Sequence, residues 1–171
     1  RKCVLMIILQ RLNWPIFPDI SSGLRLGEPH KNVIHYFDQI LLSDNLQKHF
    51  PVDGILHFGG RMTSRRWYDY VQAIAPEHYI MALKHPLRND PLHNVTLRVH
   101  CDIGLMANAL LTKIPRRKPS KFLSKLQKLN SCVDSVIENY FDNTHEINEP
   151  QAARLITQHI PAQTALFVSS S

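Results

Sequence analysis

The sequence predicts an α/β fold, in which helices flank a Rossmann-like, mainly parallel sheet. First, short apolar runs alternate along the chain with amphipathic segments, as they do in βα units. Second, 171 residues that are 44% hydrophobic and 20% charged are enough for one good core and for one or two domains. Third, the composition changes abruptly near Pro115, which favours two units over one.

Three apolar runs are predicted as strands of the sheet, at residues 53–58, 78–83 and 95–99. A helix is predicted at 64–74 because Trp67, Tyr70, Val71 and Ile74 share one side, and Pro76 ends it. A further helix is predicted from Asp102, as its cap, to Leu111.

The region before the first of these strands is harder to assign. Residues 2–13 are predicted as a helix stopped by Pro15, but their apolar run could equally be a strand. Residues 16–19 are predicted as a short buried strand. Residues 31–42 are predicted as a helix whose core-facing stripe consists of Val33, Ile34, Phe37, Ile40 and Leu41.

A basic stretch between Pro115 and Pro119 is typical of a linker. We therefore predict a domain over residues 1–112, a linker over 113–120 and a second unit over 121–171. The second unit should contain a helix at 121–141, a helix opened by Asn148 with Gln151 as a capping box, and a strand at 164–168. Two helices and one strand cannot enclose a core, so this unit should begin a larger domain.

The net charge of +6 raises the question of nucleic-acid binding. One basic set is interpreted as a solvated linker and helix face: Arg116, Arg117, Lys118, Lys121, Lys125 and Lys128. The other falls at predicted strand ends and suits a small acidic ligand: Arg61, Arg65, Arg66, Lys84, Arg88 and Arg98. Without an aromatic-interleaved basic strand or a recognition helix, we predict no nucleic-acid partner. No apolar run approaches the roughly 20 residues that cross a bilayer, so no membrane partner is predicted either.

The segment after the first strand is the best candidate for a site. Gly59 and Gly60 allow a tight turn, and Thr63 or Ser64 can cap the following helix. Arg65 and Arg66 would then lie in its first turn, where they oppose the helix dipole unless an anion or acidic neighbour is close. The alternative is that both arginines pair with surface carboxylates.

Metal and nucleophile chemistry have no support in the sequence. His85, His93 and His100 lack a ligand spacing and are interpreted as surface or loop residues, so no metal site is predicted. Cys3, Cys101 and Cys132 are odd in number and far apart, which fits a reducing compartment. No nucleophile elbow or phosphate-binding loop is present, and no catalytic residue is assigned.

Four segments, at residues 11–25, 58–66, 85–91 and 166–171, resemble in order the landmarks of one family. That family is 2-succinyl-5-enolpyruvyl-6-hydroxy-3-cyclohexene-1-carboxylate (SEPHCHC) synthase, the thiamine-diphosphate enzyme of menaquinone and phylloquinone biosynthesis. The resemblance implies that 1–112 is a shortened central domain and 121–171 the truncated start of the cofactor-binding C-terminal domain. It also implies a homo-oligomeric enzyme, in the cytoplasm or, in a plant or alga, the plastid.

The resemblance implies a reaction that decarboxylates 2-oxoglutarate on the cofactor and adds the succinyl unit to isochorismate. Arg65 resembles a basic position, often lysine, that approaches substrate carboxylates, and Ser171 resembles a serine that contacts substrate. Arg66, adjoining Arg65, is a weaker candidate. Ser169 and Ser170 stand where the family has Gly-Asn.

The family binds thiamine diphosphate and Mg²⁺ with a Gly-Asp-Gly segment, which has no counterpart in this sequence. Asp53-Gly54 comes nearest, but no glycine precedes Asp53. We therefore expect the isolated chain to be an inactive fragment that binds no cofactor. The alternative is a stand-alone, non-catalytic Rossmann-like module that binds an acidic metabolite or a partner protein.

Overall fold

A computed structural model describes residues 4–25, 30–144, 146–161, 163, 164 and 166. The chain divides into two compact units, Arg1–Val133 and Asp134–Ser171. In chain order the helices are α1 (Val4–Leu12), α2 (Phe37–Ile40), α3 (Asp44–His49), α4 (Arg65–Ile74), α5 (Ile103–Leu111), α6 (Lys121–Asp142) and α7 (Glu149–His159), with a 3-10 turn at Gly23–Arg25. The strands are β1 (Gly54–Phe58), β2 (His78–Leu83) and β3 (Leu97–His100).

The three strands of the described residues form one parallel sheet in the order β1-β2-β3. Ile55 of β1 is paired with Tyr79 of β2, and Ile80 of β2 with Leu97 of β3. Helix α4 lies in the connection from β1 to β2, whereas residues 84–96, which connect β2 to β3, form no helix and are long enough for a parallel crossover. The predicted α/β fold with a parallel sheet is therefore confirmed.

Helices cover both faces of this sheet. Ile55 packs in a core cluster with α4 and the first half of α6, through Trp67, Tyr70 and Leu126. Its neighbour Leu56 packs in a different cluster, with Ile8, Leu12 and Ala107 of α1 and α5. Successive residues of a strand point to opposite faces, so the two clusters lie on opposite sides of the sheet.

Phe17 joins the segment before α2 to the larger of these clusters. Its ring stacks on Phe37, with centroids 5.2 Å apart, and meets the edge of Trp67 at 5.9 Å. Such aromatic pairs add to the area that each ring buries.

Two elements of the N-terminal region differ from prediction. Residues 16–19 were predicted as a strand, but they form only an isolated parallel bridge between Ile16 and Val33. Pro15 and Pro18 have no N–H group, so they cannot extend a ladder. Residues 31–42 were predicted as a helix, but only Phe37–Ile40 is helical.

The bridge explains the short helix. Ile16 N–H donates to Asn32 O at 2.8 Å and Ile34 N–H donates to Ile16 O at 2.9 Å, so this backbone is already hydrogen-bonded and cannot turn helically. The apolar stripe predicted for the helix is nevertheless buried at all five positions. The sequence patterns also missed α3, which begins after Ser43.

Other boundaries shift by a few residues. The N-terminal ambiguity resolves as helix over Val4–Leu12, while residues 2 and 3 lie outside the described part of the chain. The strand predicted at 95–99 is Leu97–His100, because Thr96 instead uses its hydroxyl to accept from Tyr79 N–H at 2.9 Å. Helices α5 and α6 agree with prediction, and Asp102 caps α5 by accepting from Leu105 N–H at 3.1 Å.

The second unit contains the end of α6 and α7. Asn148 caps α7, since its Oδ1 accepts from Gln151 N–H at 3.0 Å. The predicted capping box is only half formed, because the Gln151 side chain donates to Phe141 O at 3.4 Å instead of to Asn148. Arg154 pairs with Glu138 and lies over the Phe141 ring at 5.4 Å. Most of the strand predicted at 164–168 lies outside the described residues.

Candidate functional site

The chain turns sharply where β1 ends, at the carboxyl edge of the sheet. Gly59 has a φ of +101°, which residues with a Cβ rarely adopt. Its N–H donates to Ala82 O of β2 at 2.9 Å, so the turn is fixed to the sheet. A Cβ on Gly60 would lie 3.5 Å from Asn89 Nδ2, which shows that the loops after β1 and β2 adjoin.

Asp19 is hydrogen-bonded to the end of this turn that leads into α4. Its Oδ2 accepts from both the N–H and the hydroxyl of Thr63, each at 2.7 Å, and its Oδ1 accepts from the N–H and hydroxyl of Ser21, at 3.0 and 2.7 Å. Burial would raise the pKa of Asp19, but the hydrogen bonds from Thr63 and Ser21 outweigh it and lower that pKa. Asp19 therefore remains a carboxylate that fastens the turn.

Ser64 begins α4, as predicted for Thr63 or Ser64. Its Oγ accepts from Trp67 N–H at 3.1 Å and its hydroxyl donates to Asp38. Arg66 forms an ion pair with the same Asp38 carboxylate. An acidic residue of the chain thus lies where the sequence indicated an anion or an acidic neighbour beside the first turn of α4.

Arg65 points away from this network. Its side chain is 94% exposed, and its Nε lies 4.0 Å from Asp69 Oδ2 one turn along α4. An exposed pair at that distance contributes little. Ser171, the other position with an expected substrate contact, lies outside the described residues.

Of the remaining basic residues of the strand-end set, Arg61 is exposed, and the other three contact neighbouring residues. Lys84 Nζ lies 3.7 Å from Asp102, Arg88 lies 4.0 Å from Asp90, and Arg98 donates to the carbonyls of Pro86 and Leu87. They organise the loop after β2 and the start of α5. The structure therefore does not bring the strand-end set together into one anion-binding cleft.

A pair that the sequence patterns missed, half-buried His57 and buried Tyr79, lies behind the turn. His57 Nδ1 and the hydroxyl of Tyr79 are 2.8 Å apart on neighbouring strands, and their rings stack with centroids 6.0 Å apart. Burial lowers the pKa of His57, against a hydrogen bond to Gly60 and the charge of Asp19. Burial raises the pKa of Tyr79 to about 12. The sequence did contain a signal that His57 is partly buried, because it lies between the apolar residues Leu56 and Phe58 of β1.

The other histidines agree with the prediction of loop or surface positions. His85, His93 and His100 are exposed, and each has a partner in the loop after β2 or at the end of β3. In the part of the chain that the structure describes, no three His, Cys, Asp or Glu side chains are placed to hold a metal ion. None of its helices has the length and apolar character to span a membrane.

Residues 2–168 match the family model described as the middle domain of thiamine pyrophosphate enzymes. The match covers nearly the whole chain, which therefore belongs to this family. The chain is 30% identical over 175 residues to the protein PHYLLO, chloroplastic, of Arabidopsis thaliana, with 97% of this chain and 10% of that protein covered.

Two bacterial relatives are named SEPHCHC synthase. Identity is 29% with that of Chlorobium phaeobacteroides (strain BS1) and 31% with that of Chlorobium chlorochromatii (strain CaD3). Each comparison covers 96% of this chain and 27% of the relative. The chain thus spans about a quarter of these synthases, and the family resemblance noted from the sequence is confirmed.

The family name implies thiamine pyrophosphate, a diphosphate cofactor. The carboxylates of the described residues do not fit the Mg²⁺ that would accompany it. Mg²⁺ that is bound together with a diphosphate also needs one or two protein carboxylates at the same place. Asp19 and Asp38, the acidic residues nearest the turn, are already used by Thr63, Ser64 and Arg66. No step of a reaction is therefore assigned to the cofactor in this segment.

Proposed function

We propose that this chain is a segment of a SEPHCHC synthase that uses thiamine diphosphate and Mg²⁺. The complete enzyme decarboxylates 2-oxoglutarate and adds the succinyl unit to isochorismate. The observation that carries this proposal is the continuous similarity, over 96% of the chain, to two synthases of that name. Its partners are the two substrates and further copies of the synthase, in the cytoplasm or in a plastid.

Arg65 is the residue of this segment that we assign to substrate. It lies in the first turn of α4, at the carboxyl edge of a parallel sheet, where open α/β folds bind ligands. Its 94% exposure leaves the guanidinium accessible to a carboxylate of isochorismate or of the succinyl adduct. The resemblance adds Ser171 as a second contact.

Arg66 has a different role in this proposal. Its ion pair with Asp38, which also accepts from the hydroxyl of Ser64, supports a role in fixing the start of α4. It would then act on substrate only by orienting Arg65.

Replacement of Arg65 in a full-length synthase that carries this segment tests the assignment. A bidentate pair in a partly dry site contributes about 2–4 kcal/mol, so Arg65→Ala should lower kcat/KM for isochorismate by on the order of 100-fold. Arg65→Lys should retain most activity, because the family often has lysine there. Lys48→Ala, which removes an exposed charge on α3, is the matched control and should leave kcat/KM unchanged. Unchanged kinetics for Arg65→Ala would contradict the assignment.

The isolated chain should be inactive. Titration calorimetry with thiamine diphosphate and Mg²⁺ should give no saturable, magnesium-dependent heat, because the described residues do not supply the donors for the magnesium diphosphate. Saturable, magnesium-dependent binding would show that the segment holds cofactor by itself.

A further inference from the structure

The linker between α5 and α6 forms one wall of a cleft whose lining is strongly basic. The cleft has a volume of about 300 Å³ and is lined by Asn13, Lys31, Arg116, Arg117, Lys118 and Pro119. We call it the linker cleft. The sequence patterns indicated that the arginines and lysine of the linker belong to a solvated segment, but the structure groups them with Lys31, a residue 85 positions before Arg116.

The backbone of the linker is held in place at this cleft. Arg117 N–H donates to Arg11 O at 2.8 Å, and Asn13 Nδ2 donates to Arg117 O. The Arg11 guanidinium donates to Leu111 O at 2.7 Å and to Ile114 O at 3.4 Å. These bonds fasten the linker to the end of α1 before the two arginines and at Arg117 itself. A ligand would therefore meet a wall that is already ordered, which lowers the entropic cost of binding.

The charge of the cleft is not balanced by an ion pair among the residues that the structure describes. Lys31, Arg116, Arg117 and Lys118 carry four positive charges, and no carboxylate of the described residues forms an ion pair with any of them. By contrast, Arg66, Lys84 and Arg88 at the carboxyl edge of the sheet each have a carboxylate within 4.0 Å. Like charges held together repel, so an anion in the cleft would lower a repulsion that the described carboxylates leave in place.

We propose that the linker cleft binds a small compound with several negative charges, of which pyrophosphate is the simplest probe. Guanidinium groups suit the paired oxygens of phosphate, and two adjacent arginines with two lysines suit more than one charge. A volume of about 300 Å³ is at the lower end of small-molecule sites. This site is distinct from the carboxyl edge of the sheet and does not depend on the proposed synthase activity.

Titration calorimetry of the whole 171-residue chain with pyrophosphate, at low ionic strength and without Mg²⁺, tests the proposal. One saturable event should appear and should weaken as salt is added. The double variant Arg116→Ala/Arg117→Ala should bind about tenfold more weakly or worse, since it removes two charge-assisted contacts. The backbone bonds that fasten Arg117 do not involve its side chain, so the linker should keep its path.

The matched control is Lys125→Ala/Lys128→Ala, which removes two exposed charges from α6 and the same net charge from the chain. Its affinity should fall much less than that of Arg116→Ala/Arg117→Ala, because Lys125 and Lys128 do not line the cleft and make no direct contact with a ligand there. Lys31→Ala tests the cleft independently, because Lys31 lines it from outside the linker. Thermal unfolding without ligand reports whether each variant folds.

Three results would overturn the proposal. They are no saturable binding to the parent chain, an equal loss in the two double variants, which would indicate only a general counterion atmosphere, and tighter binding with Mg²⁺. The last would indicate a metal-diphosphate site, because Mg²⁺ should compete with a wholly basic cleft for pyrophosphate.

Discussion

Asp19 Oδ2 accepts two hydrogen bonds from Thr63, one from the backbone and one from the hydroxyl, each 2.7 Å long. The two residues are 44 positions apart in the chain. Together with Gly59, which is bonded to Ala82 O, this contact fixes both ends of the turn that leads from β1 to α4. The direction in which Arg65 leaves the sheet thus depends on a residue that precedes β1.

Loss of the Asp19 carboxylate should destabilise the chain. Asp19→Ala should cost about 2–4 kcal/mol of unfolding free energy, because it leaves the donors of Thr63 and Ser21 without their charged acceptor in a site that is only 7% exposed. Chemical denaturation measures this. Asp69→Ala is the control, since its carboxylate is exposed and 4.0 Å from Arg65, and it should cost less than about 0.5 kcal/mol. Equal effects of the two changes would contradict the role of Asp19 in fixing the turn.

The same contact should have a pH dependence. The pKa of Asp19 in the folded chain is below its ordinary 3.8, so its stabilising contribution is complete above pH 3.8 and is lost as the pH falls below that value. Asp19→Asn should therefore flatten the fall in unfolding free energy at acid pH.

Protonation of His57 should lower the unfolding free energy at a higher pH than protonation of Asp19 does. Because the folded pKa of His57 is below 6.5, the unfolded chain takes up the proton first as the pH falls, and the unfolding free energy drops from about pH 6.5 downward. His57→Gln should reduce that slope by up to about 1.4 kcal/mol per pH unit. Urea denaturation at several pH values between 5 and 8 measures it. A parent slope in His57→Gln would show that burial does not disfavour protonation of His57.

Local patterns predicted the elements that local forces decide. The apolar runs of β1 and β2, the apolar side of α4, and the caps Ser64, Asp102 and Asn148 all follow from neighbouring residues. Contacts between distant segments explain the failures. The Ile16–Val33 bridge prevents the predicted helix from starting before Phe37.

In the candidate site, too, the local features could be predicted and the contacts between distant segments could not. The glycine turn and the cap of α4 could be predicted, because the residue types that indicate both lie within residues 59–64. The partner of Arg66 could not, because Asp38 comes from another helix. A hint of Asp19 existed in the Asp19-Ile20-Ser21 spacing, which favours an Asx turn, but nothing local indicates that Thr63 is its second partner.

Gly59 should tolerate no side chain. Its φ of +101° is strained for any residue with a Cβ, although no atom would lie within 4 Å of the added carbon. Gly59→Ala should therefore cost about 1–3 kcal/mol of unfolding free energy through the backbone alone. Gly54→Ala, where the added Cβ would lie 4.0 Å from His78 O, should change it by less than about 0.5 kcal/mol. A neutral Gly59→Ala would show that the turn adopts another backbone conformation.

The linker should be the first site of tryptic cleavage. Residues 114–120 have no regular structure and Arg116 and Arg117 are exposed, whereas Lys121, Lys125 and Lys128 lie in α6. Our domain boundary at 113–120 predicts a cut after one of the two arginines, although the division into compact units falls at Val133, inside the helix. Mass spectrometry of the first products distinguishes these places.

The fastening of the linker to α1 should limit the rate of that cut. Asn13→Ala removes the hydrogen bond to Arg117 O, worth about 1 kcal/mol, so cleavage should be about fivefold faster. Asn108→Ala, an exposed amide on α5, is the control and should leave the rate unchanged. If α6 is cut before the linker, the boundary at 113–120 is wrong. If Asn13→Ala has no effect on a linker cut, the linker is loose and the wall of the basic cleft is not ordered in advance.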